Sequence, residues 1–206
     1  EGIARTQDEL DGHATQQGAN VGDCLYKDIS GPNGEPDGVI DAYDQTVLGS
    51  GLPKVNFGLS THMEYKGFDL NISTYGVLNY HVSDDIYNSL NSCYGYGNKE
   101  VGMLDANRWS EDGSTYLSSV PRTYAANNAT LGWNDLFSSR KIQNAAYWKI
   151  ANVELGYNFP DKWFGGYVSG VRLYVSAQNL YTFTGYHGYN VDYAGGTFTP
   201  GYNFCS

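Results

Sequence analysis

The sequence is poor in cysteine, and its 3 cysteines, Cys24, Cys93 and Cys205, lie far apart. There is no CxxC pair, so the set indicates neither a disulfide framework nor a zinc site. An odd number permits at most one internal disulfide, and a Cys24–Cys93 or Cys93–Cys205 bridge is the alternative to free thiols. We expect free, buried thiols.

Long apolar runs and positive charges are also scarce. No stretch approaches the roughly 18 consecutive apolar residues of a transmembrane helix, so any membrane crossing must use β-strands. Lys and Arg together number 12 against 22 Asp and Glu, which gives a net charge of -10. This acidic balance excludes nucleic acid as an expected partner, because the phosphates would be repelled.

Catalytic motifs are missing as well. The 4 histidines share no metal-type spacing, and no nucleophile-elbow sequence occurs. The pairs Asp84-Asp85 and Glu111-Asp112 have the chemistry of glycosidase carboxylates, but exposed loop acids are the ordinary interpretation. The sequence therefore predicts that the protein is not an enzyme.

What the sequence does contain is a set of four segments in which apolar and polar residues alternate. The charged residues of these segments all fall on the polar side. A period of two predicts β-strands with one apolar face. The segments are Val55–Tyr65, Phe68–Tyr80, Ala151–Phe159 and Val171–Phe183.

Segment length and aromatic placement favour a transmembrane barrel over a soluble sheet. Most segments run about 10–13 residues, longer than the usual strand of about 5–6 and close to the roughly 9–11 that cross a bilayer at a tilt. Aromatic residues near their ends, such as Tyr65, Phe68 and Phe159, resemble the girdles of outer-membrane barrels. A large soluble β-sheet protein would show the same alternation and stays the alternative.

The connections between the segments alternate in length. The predicted strands lie near residues 54–65, 67–81, 147–159 and 171–184, and the long loops near 1–52, 82–146 and 185–206. The first hairpin turns at Lys66-Gly67, where glycine supplies a positive φ without steric cost. Outer-membrane barrels have short periplasmic turns and long extracellular loops, which places the long loops outside the cell. Because a closed barrel needs at least about eight strands, we expect this chain to be part of a larger barrel.

Several motifs are specific enough to indicate a family. They are GDCLYKD within Gly22–Ser60, YKGFDLN within Tyr65–Asn88, Arg108-Trp109, Pro121-Arg122, AAYWKIANVELGYNFP at Ala145–Pro160 and VRLYVSAQNLYTFTGYHGYNVD at Val171–Asp192. Together they resemble the SusC/RagA-type TonB-dependent outer-membrane transporters, over nearly the whole chain from about Gly22. The resemblance implies an all-β fold, an antiparallel transmembrane β-barrel of about 22 strands of which this is the C-terminal part. We expect the plug domain and the final strand to lie outside this chain.

The resemblance also implies a function and partners. Such a transporter imports glycans or oligopeptides across the outer membrane and is energised by TonB-ExbB-ExbD acting on the plug. A SusD-like surface lipoprotein closes over its extracellular loops. The alternative from another class is a soluble or surface-attached β-rich carbohydrate-binding module, which would stay in solution without detergent.

One acidic loop resembles an EF-hand-type loop with an insertion. Hard oxygen ligands at alternating spacing, with a glycine for the sharp turn, suit Ca²⁺. The candidate ligands are Asp28, Ser30, Asp37, the Val39 carbonyl, Asp41 and Asp44. The segment Gly31–Pro36 lengthens the loop beyond the usual frame, and a loop rich in Asx turns without an ion is the alternative.

Loop aromatic residues and strand polar residues are the remaining candidates. Aromatic side chains stack on sugars and grip partner surfaces, although packing of loops against each other is the ordinary interpretation. The candidates for substrate or partner contact are Trp109, Tyr116, Trp133, Tyr186 and Tyr189. On the polar faces of the strands, Asn152, Glu154, Arg172 and Gln178 are expected to pack against the plug.

Overall fold

The chain divides into two compact units. The computed structural model describes residues 2–91, 98, 101, 108–111, 120–123, 132–165, 168, 170–188, 190–192, 195–196 and 199–203. The first unit comprises the described residues of Glu1–Leu48 and Asp85–Lys141, and the second those of Gly49–Asp84 and Ile142–Phe204. None of the helices in the described ranges is long and apolar enough to cross a membrane.

The first unit is built mainly from loops and short elements. It contains β1 (Gly2–Ile3), α1 (Gln7–Asp11), β2 (Cys24–Leu25) and α2 (Asp85–Leu90), with 3-10 helices at Ala42–Asp44, Trp133–Asp135 and Ser139–Lys141. The two strands pair antiparallel. The Thr6 side chain caps α1 by accepting the Glu9 N–H at 3.2 Å, which satisfies one of the free donors at the helix start.

The second unit is dominated by one antiparallel sheet of four long strands. The strands of the whole unit are β3 (Val55–Tyr65), β4 (Phe68–Leu78), β5 (His81–Asp84), β6 (Gln143–Asn144), β7 (Tyr147–Asn158), β8 (Arg172–Thr184), β9 (Gly195–Gly196), β10 (Thr199–Pro200) and β11 (Tyr202–Asn203). The large sheet has the order β3-β4-β7-β8. At its first hairpin Lys66 and Gly67 have φ of 49° and 87°, as the tight primed turn requires.

Cross-strand register gives the sheet two distinct faces. On the apolar face Leu70 pairs with both Met63 and Leu155, and Ile72 pairs with Val153. On the opposite, polar face His62 pairs with Asn71, which in turn pairs with Glu154. The predicted alternation therefore places apolar and polar side chains on opposite sides, as the period of two requires.

A β-bulge at Ala151 changes the alternation within β7. Ser73 pairs with Asn152 whereas Thr74 pairs with Ile150, so Ala151 is an extra residue in its strand. An unbroken period of two would place Ala151 on the apolar face with Val153 and Leu155, and the bulge removes it from the ladder. As a result Lys149 lies on the polar face, whereas an unbroken period of two would have placed its charge on the apolar face.

The second long strand is shorter than predicted. We expected alternation to continue to Tyr80, but β4 ends at Leu78 because Asn79 adopts a left-handed conformation with φ of 53°. A left-handed residue breaks the extended ladder. The chain then enters β5, which pairs antiparallel with β6 and parallel with β11. Tyr80 is consequently a core residue and not a member of the apolar face.

The buried core of the second unit lies beside this small sheet. It is one cluster of buried side chains, formed by Val77, Tyr80, Val82, Ala145, Tyr147, Tyr186 and Val191. The large sheet itself keeps many apolar side chains exposed. The second unit therefore has a packed core at one end of its large sheet and an exposed apolar face along the rest of that sheet.

Candidate functional site

The polar face carries an ionic network near the hairpin end of the sheet. Asp69 is 5% exposed and accepts hydrogen bonds from Arg172, whose Nε lies 3.1 Å from Oδ1 and whose Nη2 contacts Oδ2. The Asn158 amide also donates to Oδ1 at 3.1 Å. Arg172 reaches Glu154 as well, with Nη2 2.6 Å from Oε1. One guanidinium therefore joins carboxylates of two other strands, β4 and β7.

Gly156 makes room for this network. A Cβ added there would lie 2.5 Å from Arg172 Nη2 and 2.6 Å from Asp69 Oδ1, so any other residue would displace the ion pair. Further along the same face Asn152 pairs with Gln178, and His62 contacts Glu64 at 2.9 Å. The predicted polar set of Asn152, Glu154, Arg172 and Gln178 thus shares one surface.

A buried cluster around Asp23 organises the first unit. Asp23 is fully buried, and Arg122 grips its carboxylate with Nε 2.6 Å from Oδ1 and Nη2 3.2 Å from Oδ2. The Asn134 amide donates to Oδ1 at 3.1 Å, and the Asn20 N–H donates to Oδ2 at 2.9 Å. Asn134 also accepts the Cys24 N–H at 2.7 Å. We call Asp23, Asn20, Arg122 and Asn134 the Asp23 cluster.

The residues beside the Asp23 cluster explain two further motif positions. Gly22 has φ of 93°, and a Cβ there would lie 2.4 Å from Trp109 Cε3. Only glycine combines that backbone conformation with so close an approach of the indole ring. The Arg122 N–H donates to the Gly22 carbonyl at 2.9 Å. Motifs that are 99 residues apart in sequence at Asp23 and Arg122 therefore meet in one structure.

The acidic loop is organised around Asp44. Its Oδ1 accepts the backbone N–H groups of Ile29 and Ser30 at 2.8 and 3.2 Å, and its Oδ2 accepts that of Asp41 at 2.9 Å. Asp28 accepts the Gly38 N–H at 2.7 Å. These carboxylates therefore take the place of missing backbone acceptors in the loop.

Comparison with known proteins decides the family. No family model matches the chain. TonB-dependent receptor P3 of Formosa agariphila is 31% identical over 180 residues, which cover 86% of this chain and 16% of that protein. TonB-dependent receptor SusC of Bacteroides thetaiotaomicron is 26% identical over 176 residues, or 80% of this chain and 16% of that protein. The chain belongs to the SusC/RagA-type TonB-dependent transporters.

Solved structures agree in fold with this transporter segment. The RagAB peptide importer in its closed-closed state superposes with a TM-score of 0.63 at 22% identity, over 84% of this chain and 18% of that one. This likeness shows the fold alone, and it confirms the predicted class of an antiparallel β-barrel segment. The transporter segment spans about a sixth of the length of the curated relatives it matches. Those relatives are receptors and transporters, not enzymes.

The predicted calcium ligands of the transporter segment make hydrogen bonds to the backbone of their own loop. Among the described residues, no group of three or more His, Cys, Asp or Glu side chains is placed to hold an ion. Asp37 accepts the Val39 N–H at 3.0 Å, and Asp41 accepts the Tyr43 N–H at 2.7 Å. Their oxygens thus complete local turns, as the Asx-turn alternative requires. Calcium binding by this loop stays a prediction.

Three of the predicted contact aromatics are packed within their own units. Trp109 is buried against Gly22, and Tyr186 is buried with its hydroxyl donating to Asp84. Trp133 donates from Nε1 to the Gln17 carbonyl at 3.0 Å and packs on Tyr26, with ring centroids 5.7 Å apart. These contacts favour a packing role, and contact with substrate or partner stays a prediction. Tyr116 and Tyr189 lie outside the described residues.

Of the three cysteines, Cys24 lies within the described residues. Cys24 is a free, buried cysteine, and burial raises the pKa of its thiol. Arg140 Nη1 donates to its Sγ at 3.0 Å. Cys93 and Cys205 lie outside the described residues, as do both predicted bridges.

Acid should loosen the acidic loop. The Asp41, Ile29 and Ser30 backbone donors hold the pKa of Asp44 below its ordinary value. A lowered folded pKa stabilises the loop above the unfolded value of about 3.9, and this stabilisation is lost as pH falls through the folded pKa. We expect faster hydrogen exchange of residues 26–31 below that range, after correction for intrinsic exchange.

Two variants make the acid prediction specific to Asp44. Asp44→Asn should give the fast exchange of residues 26–31 already at neutral pH, because the amide carries no negative charge. Glu35→Gln replaces an exposed acid of the same loop and should behave like the wild type. Equal exchange in Asp44→Asn and wild type at pH 7 would show that Asp44 does not hold the loop.

Proposed function

We propose that the whole protein imports glycans or oligopeptides across the outer membrane, driven by TonB-ExbB-ExbD, as the barrel subunit of a complex with a SusD-like surface lipoprotein. In this proposal the four long strands are part of the barrel wall. The long segments 1–52, 82–146 and 185–206 are extracellular loops. The relatives TonB-dependent receptor P3 and TonB-dependent receptor SusC support the TonB-dependent part of this proposal.

The observation that carries the proposal is the contrast between the two faces of the sheet. On the apolar face Leu59, Leu173 and Val175 are 62%, 65% and 73% exposed. An apolar face of this extent on a protein in water would be buried against a second layer, but in a barrel wall lipid covers it. The charged residues of the same strands lie on the polar face, which in such a barrel faces the lumen.

The strand edges support a larger barrel over the carbohydrate-binding module. β3 and β8 run 11 and 13 residues, and each pairs on one side only within the described sheet. Open edges of this length are not tolerated in lipid and invite aggregation in water. We therefore place neighbouring strands of the same barrel against both edges.

The relatives give partial support for the proposed substrate class. The RagAB structures are described as peptide importers, and SusC is a TonB-dependent receptor. Glycans and oligopeptides are both rich in hydrogen-bonding groups that a polar lumen and long loops accommodate. We propose that the long loops and the lipoprotein select between them.

Fractionation combined with uptake tests the proposal. The native polypeptide should appear in the outer-membrane fraction, require detergent, migrate heat-modifiably and have a denatured mass several times 22.7 kDa. Uptake of labelled oligosaccharides or oligopeptides should fall when either this gene or tonB is deleted. A product that stays soluble without detergent would overturn the proposal. Uptake that is unchanged without TonB would do the same.

A further inference from the structure

The polar face has an apolar patch at the loop end of the sheet, where alternation predicts polar residues. Register places Tyr75 opposite Lys149 and Val77 opposite Tyr147 on this face. Val77 and Tyr147 are buried, whereas Trp148 and Phe183 of the apolar face at the same level stay exposed. Something therefore covers the polar face here and leaves the other face open.

The cover is the segment that follows β8. Tyr186 and Val191 belong to the same cluster of buried side chains as Val77 and Tyr147. The His187 N–H donates to Gln143 Oε1 at 3.0 Å, and the Tyr186 hydroxyl donates to Asp84. The described residues of 185–192 thus turn back over the end of the polar face instead of continuing the line of the strand.

One ion pair fixes the far end of this segment. Lys149 Nζ contacts the Asp192 carboxylate, and their side chains are 12% and 28% exposed. The Tyr75 hydroxyl lies 3.4 Å from Asp192 Oδ1, and the Lys149 ammonium lies 6.0 Å from the centroid of the Tyr75 ring. Partial burial makes such a charge-assisted pair stronger than an exposed surface pair. The pair exists because the bulge at Ala151 places Lys149 on the polar face.

We propose that residues 185–188 and 190–192 form a strap across the mouth of the transport channel, and that the Lys149–Asp192 pair latches this strap to the polar face of the sheet. The strap narrows the mouth from the side of β4 and β7, and breaking the latch releases it. This inference rests on the proposed function only in assigning the polar face to the lumen. The latch itself follows from the contacts of the second unit.

Charge reversal in the full-length protein tests the latch. Intact cells are treated with chymotrypsin, and cleavage after Tyr186 is followed by mass spectrometry. Lys149→Asp and Asp192→Lys should each speed this cleavage about tenfold, because proteolysis tracks the population of the opened segment. The double variant restores a pair of opposite charges and should return the rate towards the wild-type value.

Two further variants keep the test decisive. Asp192→Asn retains the size of the side chain and should still speed cleavage if the reversed charges prevent assembly. Glu64→Gln removes a carboxylate from the same face at the other end of the sheet and should leave the rate unchanged. Unchanged cleavage in the single variants, or a double variant as fast as the singles, would overturn the latch. Absence of the wild-type protein from the outer membrane would instead overturn the proposed function.

Discussion

Replacing Asp23 with alanine should destabilise the first unit by about 3 kcal/mol, the lower end of the cost of breaking a buried ion pair, because Asp23 is fully buried whereas Arg122 is 29% exposed. The fully buried carboxylate accepts hydrogen bonds from Arg122, Asn134 and Asn20. Alanine would remove that acceptor and leave a cavity beside the buried Asn134 amide, which loses one of its partners. Hydrogen exchange and limited proteolysis of the described parts of residues 1–48 and 85–141 would measure the loss.

Two comparisons separate this effect from a general loss of stability. Asp8→Ala changes an exposed acid of α1 and should stay within about 0.5 kcal/mol of the wild type. The residues of the Asp23 cluster all belong to the first unit, so heat-modifiable migration of the full-length protein should be retained in Asp23→Ala. Loops as well protected in Asp23→Ala as in the wild type would show that the Asp23 cluster does not hold the unit together.

Placing arginine at Val153 should destabilise the barrel by about 2–4 kcal/mol, the cost of a charge near the middle of the lipid-facing surface. Val153 lies near the centre of β7 and pairs with Ile72 and Ala177 on the apolar face. A guanidinium there would have to lie in hydrocarbon or disrupt its neighbours. Unfolding by guanidinium chloride in detergent micelles would measure this loss as a lower midpoint concentration of denaturant.

The two faces and the two depths provide the controls for Val153. Asn152→Arg places the same charge at the adjacent position, on the polar face of the sheet, and should be tolerated. Leu173→Arg lies on the apolar face but only one residue from the start of β8, so its cost should be nearer about 0–1 kcal/mol. An equal loss at Val153 and Asn152 would contradict the assignment of the two faces.

Local patterns in the sequence predicted much of the sheet. The period of two depends only on neighbouring residues, so it identified all four long strands and the side on which Glu64, Asp69 and Arg172 lie. The turn at Lys66-Gly67 was also readable, since a positive φ after an alternating segment is a local requirement. The family motifs then identified the barrel from which these strands come.

Other parts of the molecule depend on residues that are distant in sequence. Nothing near Asp23 predicts that Arg122 will neutralise it, and the motifs that contain the two residues were informative as resemblance before their contact was known. Trp109 and Tyr186 are of the aromatic types that are common in binding surfaces, yet long-range contacts bury both. Burial is decided by the whole chain, and a residue type alone does not fix it.

The sequence by itself determined the four long strands, their faces outside the bulged part of β7, and the family, because alternation and motifs are properties of short segments. Only the tertiary structure decided that a bulge at Ala151 places Lys149 on the polar face, that Asp192 meets it there, and that Arg122 pairs with the fully buried Asp23. One extra residue in a ladder reverses the face of every residue beyond it. Which partners then meet depends on how loops of unrelated sequence return to the same place.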